Sequence, residues 1–313
     1  MNYATLGRTG LRVSKLGFGG SPLGNEFGDA DPAEAERAVH CAIDLGINYF
    51  DVAPYYGRAL AETRLGDALK GRRDRVILAT KCGRYDVASF DFSEARIRAS
   101  IEQSLRRLRT DYVDVFLAHD IEFVDARQIV EEAIPVMRSL QAQGKARSIG
   151  ITGLQLNGLR KVAAVAPVDV VLSYCRYNLL VSDMDELLTP LVKEQGAGLI
   201  NASPLHMGIL SSSGPPPWHP ASPEVKEMGR RIVESCEQRG VQASDVALQF
   251  CLQHPYISTT LAGMSTVEQV RRNVAAGDGT ADPALLEEIR SMSASVQNCS
   301  WPSGRPENQD HAS

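Results

Sequence analysis

The chain alternates short apolar runs with longer stretches whose apolar residues recur every three or four positions. The runs of strand length are "SKLGFG", "INYFDVA", "RVILATK", "YVDVFLAH", "ARSIGIT", "VDVVLSY", "AGLINAS" and "ISTTLAG". Between them lie helical patterns such as "DPAEAERAVHCAIDLG", "SEARIRASIEQSLRRLR", "ARQIVEEAIPVMRSLQAQG" and "MDELLTPLVKEQG". Asp31 and Ser93 suit helix N-caps, while Gly46, Gly144, Gly196 and Gly240 suit helix ends. Ahead of the first run, "YATL", "GRTG" and "LRVSKLGFG" read as a small hairpin. Eight strand-then-helix units follow, ending with "TVEQVRRNVAA". That count fits the roughly 250 residues of a TIM barrel, a closed (β/α)8 architecture. A doubly wound sheet competes with it but lacks its glycine fingerprint, since "GFGGSP" carries Pro22 in sixth place. An extra helix is expected around Pro283–Met292. The whole of 1–313 reads as one domain, with a polar tail from about 297 expected to be loosely ordered.

Composition narrows the function classes. Apolar residues make up 43% of the chain, enough for a large core, and the net charge of −5 argues against nucleic acid as a partner. Six cysteines, at 41, 82, 175, 236, 251 and 299, form no close pairs, so reduced thiols are expected. No run of about 18 apolar residues and no apolar leader occur, so a soluble, cytoplasmic protein without a membrane partner is expected.

In a barrel of this kind, chemistry gathers where strands end. One run ends at Asp51, with Tyr55 and Tyr56 just beyond it; the next ends at Lys81, and the next at His119 and Asp120. A lysine closing "VILAT" needs a partner if it is buried. An ammonium beside a phenol favours the phenolate, which would lower the Tyr56 pKa, and a carboxylate keeps the ammonium charged. Such a phenol exchanges protons with a carbinol or carbonyl oxygen, and an imidazole hydrogen-bonds the same oxygen. Taken singly, Asp51 reads as a cap and Lys81 as a surface charge. In order, on three consecutive strand ends, they read as one constellation. His40, His254 and His311 read as structural or surface residues, and no spacing suggests a metal site.

"FDVAPYYGRALAETRLGDAL" resembles the signature of the aldo-keto reductase family, with "ATK", "FLAH", "SPLHMGIL" and "GMSTVEQVRRN" following in that family's order. The resemblance covers nearly the whole chain. It implies an oxidoreductase using a nicotinamide dinucleotide, with Tyr56 as general acid/base, Asp51, Lys81 and His119 as its partners, and Tyr55 in the wall. It assigns Ser203, Leu205, Gly208 and Leu210 to the pyrophosphate. Gly263, Ser265, Gln269 and Asn273 fall at the adenosine end, faced by the N-terminus of the last barrel helix. Thr152 and Tyr174 stand where members hold the nicotinamide carboxamide, and Ala202 where many have a stacking aromatic. Gly263 and Gln269 replace a lysine and an arginine that surround the 2′-phosphate in many members. NAD is therefore the expected cofactor, with NADP as the alternative.

Within the family, "AHDIEF", "LSYCRY", "GITGLQL", "GPPPWHPASPE" and "NCSWPSG" resemble an aldose 1-dehydrogenase subgroup that oxidises a sugar at C1 to its lactone. A small sugar is then the partner, with Asp120, Arg176, His206 and Trp218 around it and Trp218 stacked on a pyranose face. Glu122 reads as a solvated loop charge. Arg176 and His206 depart from that subgroup, so L-galactose is expected first, with L-fucose or D-arabinose as alternatives. An NADPH-dependent carbonyl reductase and a regulatory subunit without activity are the competing readings. A monomer or small homo-oligomer is expected.

Overall fold

Eight parallel strands close on themselves in chain order in the computed structural model, which describes residues 1–310. They are β3 (Leu16–Gly19), β4 (Tyr49–Asp51), β5 (Ile77–Cys82), β8 (Val113–Ala118), β9 (Ala146–Gly153), β10 (Val170–Tyr174), β11 (Gly198–Ala202) and β12 (Ile257–Gly263). Each coincides with an apolar run of the sequence. The antiparallel pair β1 (Tyr3–Thr5) and β2 (Arg12–Ser14) is the predicted hairpin; β6 (Arg84–Asp86) and β7 (Ser89–Phe90) form a second one above the barrel rim.

The helices are α1 (Pro32–Asp44), α2 (Leu60–Ala68), α3 (Glu94–Leu108), α4 (Ala126–Gln128), α5 (Ile134–Ala142), α6 (Leu156–Val165), α7 (Asp183–Leu187), α8 (Thr189–Gln195), α9 (Pro223–Gln238), α10 (Ala243–Leu252), α11 (Val267–Gly277) and α12 (Pro283–Ser293). Asp31 caps α1, its side chain accepting from Glu34 N, and Ser93 caps α3 by accepting from Arg96 N. Two stretches that read as single helices are broken, both at proline. A π-helical turn, Ile129–Ala133, precedes Pro135 in the first turn of α5, and α7 gives way to α8 at Thr189-Pro190. A proline removes one ladder hydrogen bond and crowds the turn before it, so the helix must adjust there.

Strand parity decides what faces inward. Tyr49, Ala79, Val115 and Leu117 pack inside the barrel with Leu172, Ile200 and Leu261, and the hairpin contributes Leu6 and Val13 to the same cluster. Phe50, Leu78, Cys82, Phe116 and Ala118 point outward into the layer beneath the helices. Side chains alternate along a strand, so the next inward positions are Asp51, Lys81 and, one residue past β8, His119. The apolar interior thus ends in a polar upper rim.

The tail from 297, expected to be loose, instead lies across the barrel mouth. Arg305 N and Asn308 Nδ2 donate to Glu122 O, and Gln155 Nε2 donates to Trp301 O. Asp310 accepts from Leu156 N at 3.0 Å and Asn157 N at 2.8 Å, at the start of α6, and pairs with Arg176 at 3.0 Å. His311 lies outside the described residues. Asp310→Ala removes a helix-end acceptor and one partner of a buried guanidinium. It should cost about 1–2 kcal/mol and lower Tm by a few degrees. An unchanged melting curve would mean that this clasp contributes nothing.

Candidate active site

Asp51, Lys81 and His119 reach the rim through strand parity, whereas Tyr56 arrives on a loop and has to be held there. Gly57 adopts φ +58, and a Cβ on it would lie 2.3 Å from Gly24 O, so two backbones touch where only glycine fits. Glu26 adds a carboxylate that accepts from Gly57 N at 2.8 Å. The Tyr56 hydroxyl then meets Lys81 Nζ at 3.2 Å. The same ammonium donates to Val52 O at 3.1 Å and to Asp51 Oδ1 in a close ion pair. The His119 ring stands edge-on to Tyr56, centroids 5.7 Å apart.

The protonation states follow from burial and charge. Burial opposes the Lys81 ammonium, but Asp51 and Tyr56 outweigh it, and its pKa is raised. Burial also pushes the Asp51 carboxyl up against the pull of Lys81. Three acceptors around Nζ decide for the charged pair. Tyr56 was expected to be lowered by the ammonium; Lys81 does pull it down, but burial wins and the phenol stands at about 12. His119 is held well below its ordinary value by burial and by the cations of Lys81 and Arg84, so the ring is neutral.

Two cavities of about 470 Å³ each meet at this point, sharing Asp51, Tyr56, Ala202, Ser203 and Leu261. The first is a bay walled by Tyr55, Arg84, His119, Asp120, Tyr174 and Trp301. Arg84 is ion-paired with Asp120, and its guanidinium lies 3.9 Å from the centroid of the Tyr55 ring. The second is a trough lined by Gly19, Gly20, Ser203, Leu205, Gly208, Gly263, Ser265 and Asn273. Its walls are narrow by construction. A Cβ on Gly20 would sit 2.8 Å from Asp51 O, and one on Gly208 2.8 Å from Gly214 O. A long trough of small residues and backbone groups, opening beside a buried phenol, fits an extended dinucleotide whose reactive end lies at Tyr56.

A family model described as the aldo/keto reductase family matches residues 15–294. The chain belongs to the aldo/keto reductase family. It is an NAD(P)-dependent oxidoreductase. It is 47% identical to the L-galactose dehydrogenase of Arabidopsis thaliana, covering 97% of this chain and 98% of the relative. It is 30% identical to a D-threo-aldose 1-dehydrogenase of a Pseudomonas species, covering 84% and 89%. Among solved structures, the holo form of an aldo-keto reductase from Bacillus halodurans superposes with a TM-score of 0.80 at 29% identity, covering 99% of this chain and all of that one (100%).

In this aldo/keto reductase most of the anticipated residues line the two cavities, and four do not behave as read. Thr152, Tyr174, Asp120 and Trp218 border the bay, while Ser203, Leu205, Gly208, Gly263, Ser265, Gln269 and Asn273 border the trough. Leu210, by contrast, packs in an apolar cluster with Ile209, Val225 and Ile232. Arg176 is buried behind the bay, bound to Asp183, Asp310 and Leu154 O. His206 is fully buried, its Nδ1 against Asn178 Nδ2 and its ring against Trp301. Glu122 is no solvated charge. It accepts from Leu154 N and Ser303 Oγ, and burial, aided by Asp120, lifts its pKa to about 8.

Arg84, Phe27 and Trp301 line the bay without having been anticipated. Arg84 lies three residues past Lys81, just beyond the strand end, and Trp301 sits in a segment read as tail. Phe27 carries no periodic signal; it meets Trp218 with ring centroids 5.7 Å apart over the cavity mouth.

Tyr56→Phe should lower kcat by about 10²–10⁴-fold while dinucleotide binding persists, measured by steady-state rates and fluorescence titration. A near-normal kcat would remove Tyr56 from the proton-transfer role.

With the phenol at about 12 and the imidazole neutral, the rate of substrate oxidation should climb through the alkaline range, with no inflection near 6.5. Lys81→Met removes the cation that favours phenolate, so the climb should move to still higher pH. An unmoved pH profile would leave Lys81 a positioning role only.

Proposed function

We propose that this oxidoreductase converts a pyranose aldose to its lactone at the anomeric carbon, with NAD as hydride acceptor and L-galactose as first substrate. The observation that carries this reading is the Arg84–Asp120 pair in the bay. Asp120 Oδ1 and Arg84 Nε are buried with no hydrogen-bond partner among the described residues. The part of the Arg84 side chain that stays exposed, 15%, borders the bay and offers a charged donor to a sugar hydroxyl, which a simple aldehyde would leave poorly matched at a cost of about 1–3 kcal/mol. The aromatic rings of Tyr55, Trp218 and Trp301 around the pair suit the C–H faces of a sugar ring. The two sugar dehydrogenases among the relatives support the same substrate class.

The bound dinucleotide supplies the hydride acceptor. Ser203, Leu205 and Gly208 would hold its pyrophosphate, and Gly263, Ser265 and Asn273 its adenosine. Tyr56 takes the proton of the C1 hydroxyl as C1 gives up hydride, and the Lys81 ammonium stabilises the phenolate that would otherwise be disfavoured by burial. His119, neutral, hydrogen-bonds the same oxygen. The ring oxygen stays attached to C1 throughout, so the product is a lactone.

NAD is preferred because Gly263 and Gln269 offer no cation to a 2′-phosphate. Arg272, one turn on, is committed to Asp245 at 3.0 Å.

The test incubates the enzyme with L-galactose, L-fucose, D-arabinose and D-galactose and each dinucleotide, following absorbance at 340 nm and identifying products by NMR. Lactone from one of the first three, D-galactose inert and kcat/KM higher with NAD is the expected result. Reduction of an aromatic aldehyde with no sugar oxidised would overturn the substrate class.

A further inference from the structure

The mouth of the trough is bordered by the start of α11, through Ser265, Thr266 and Gln269. A helix start of this kind offers unpaired N–H groups that attract anions. Here this chain's own side chains take several of them. Gln269 Oε1 accepts from Ser265 N at 2.8 Å and Thr266 N at 3.3 Å, and Thr266 Oγ1 accepts from Gln269 N at 3.2 Å. Val267 N is met from another element: Glu34 of α1 accepts it through Oε1 at 2.8 Å.

Glu34 does two things at once. One carboxylate oxygen occupies the helix start. The other accepts two bonds from the guanidinium of Arg37, at 3.0 and 2.7 Å, and so neutralises a cation close to that helix start. The Val267 N–H and Arg37 also hold the Glu34 carboxyl below its ordinary range, so it is charged at neutral pH. The trough wall itself carries two further carboxylates, Asp29 and Asp51.

We infer that Glu34 selects between the two nicotinamide dinucleotides: its carboxylate fills the anion position at the start of α11 and ties up Arg37, so that a ribose 2′-phosphate is repelled and a free 2′-hydroxyl is accepted. This rests on the reading that the trough holds a dinucleotide with its adenosine end at α11. The determinant comes from the first barrel helix, far in sequence from Gly263 and Gln269.

The experiment measures binding, with no turnover: titration calorimetry of NAD⁺, NADP⁺, 5′-AMP and 2′,5′-ADP on the full chain and on Glu34→Gln. The glutamine keeps an acceptor for Val267 N, so the helix start stays capped while the charge goes and Arg37 is released. NADP⁺ and 2′,5′-ADP should each gain about tenfold in affinity, with NAD⁺ and 5′-AMP changed by less than about twofold. Adding Arg37→Ala to Glu34→Gln should cancel most of that gain. Equal shifts for both dinucleotides, no shift for either, or a wild-type chain that already binds NADP⁺ more tightly would overturn the inference. A wild-type chain that binds NADP⁺ poorly and NAD⁺ well, unchanged by Glu34→Gln, would overturn the role of Glu34 and leave the cofactor reading intact. A chain that binds neither dinucleotide would overturn both.

Discussion

A lysine that is only 1% exposed, at the top of a barrel otherwise filled with apolar side chains, constrains everything near it. A buried ammonium is tolerable only when carboxylate and hydrogen-bond acceptors surround it. Asp51, Val52 O and the Tyr56 hydroxyl provide those acceptors, and each comes from β4 or the loop after it. That loop cannot wander, because its position is part of the solvation shell of Lys81. Such a pair is weak evidence of net stability, but removing one partner leaves a charge with nothing to answer it. The cation also acts on its neighbours: burial first, and then Lys81 with Arg84, keep His119 neutral, which leaves an imidazole able to donate one hydrogen bond without adding charge. Burial and a single buried lysine together set one cation, one anion, one phenol and one neutral ring.

Both ion pairs border the bay, but the second has the more accessible cation: the Arg84 side chain is 15% exposed and that of Lys81 2%. Arg84 and Asp120 line the bay and retain unpaired polar atoms, whereas the Lys81 ammonium has its donors engaged. Behind Asp120 lies Glu122, whose carboxyl burial and Asp120 together hold largely protonated at neutral pH. Two adjacent buried carboxylates would repel; leaving one neutral lets Asp120 carry the charge that Arg84 balances. The C-terminal tail depends on the same residue. A Cβ on Gly304 would stand 2.3 Å from Glu122 O, so the tail packs on that backbone with no space to spare. The bay wall, its charge state and the tail are one arrangement.

All eight barrel strands were legible as short apolar runs because both faces of a barrel strand are buried, and Asp51, Lys81 and His119 were legible because they close such runs. Each lies two positions beyond an inward apolar residue: Tyr49, Ala79 and Leu117. Periodicity fails where the backbone leaves regular geometry. Ser203, His206 and Met207 have φ of 60, 48 and 49, so the loop after β11 turns repeatedly. His206 and Leu210 consequently point away from the cavities although motif order put them there. Arg84 depends on the small β6–β7 hairpin and on Tyr55 and Phe90, which meet only in three dimensions. Glu122 looked solvated because its partners, Leu154 N and Ser303, are remote in sequence.

The charges of the two cavities differ in a way that bears on how a dinucleotide is held. The trough has no lysine or arginine among its described lining residues, while Asp29 and Asp51 both border it. Pyrophosphate is doubly negative, so in the proposed binding mode its attraction would come from backbone N–H groups, hydroxyls such as those of Ser21 and Ser203, and close contact with small residues. Fixed dipoles at close range are screened far less by salt than a surface cation would be. They also favour no extra phosphate. In a trough without cations, a 2′-phosphate gains nothing to offset the water it gives up, and a nearby carboxylate makes the exchange worse. On the proposed reading, discrimination against the phosphorylated cofactor would need no steric block, only the consistent omission of positive charge along one wall.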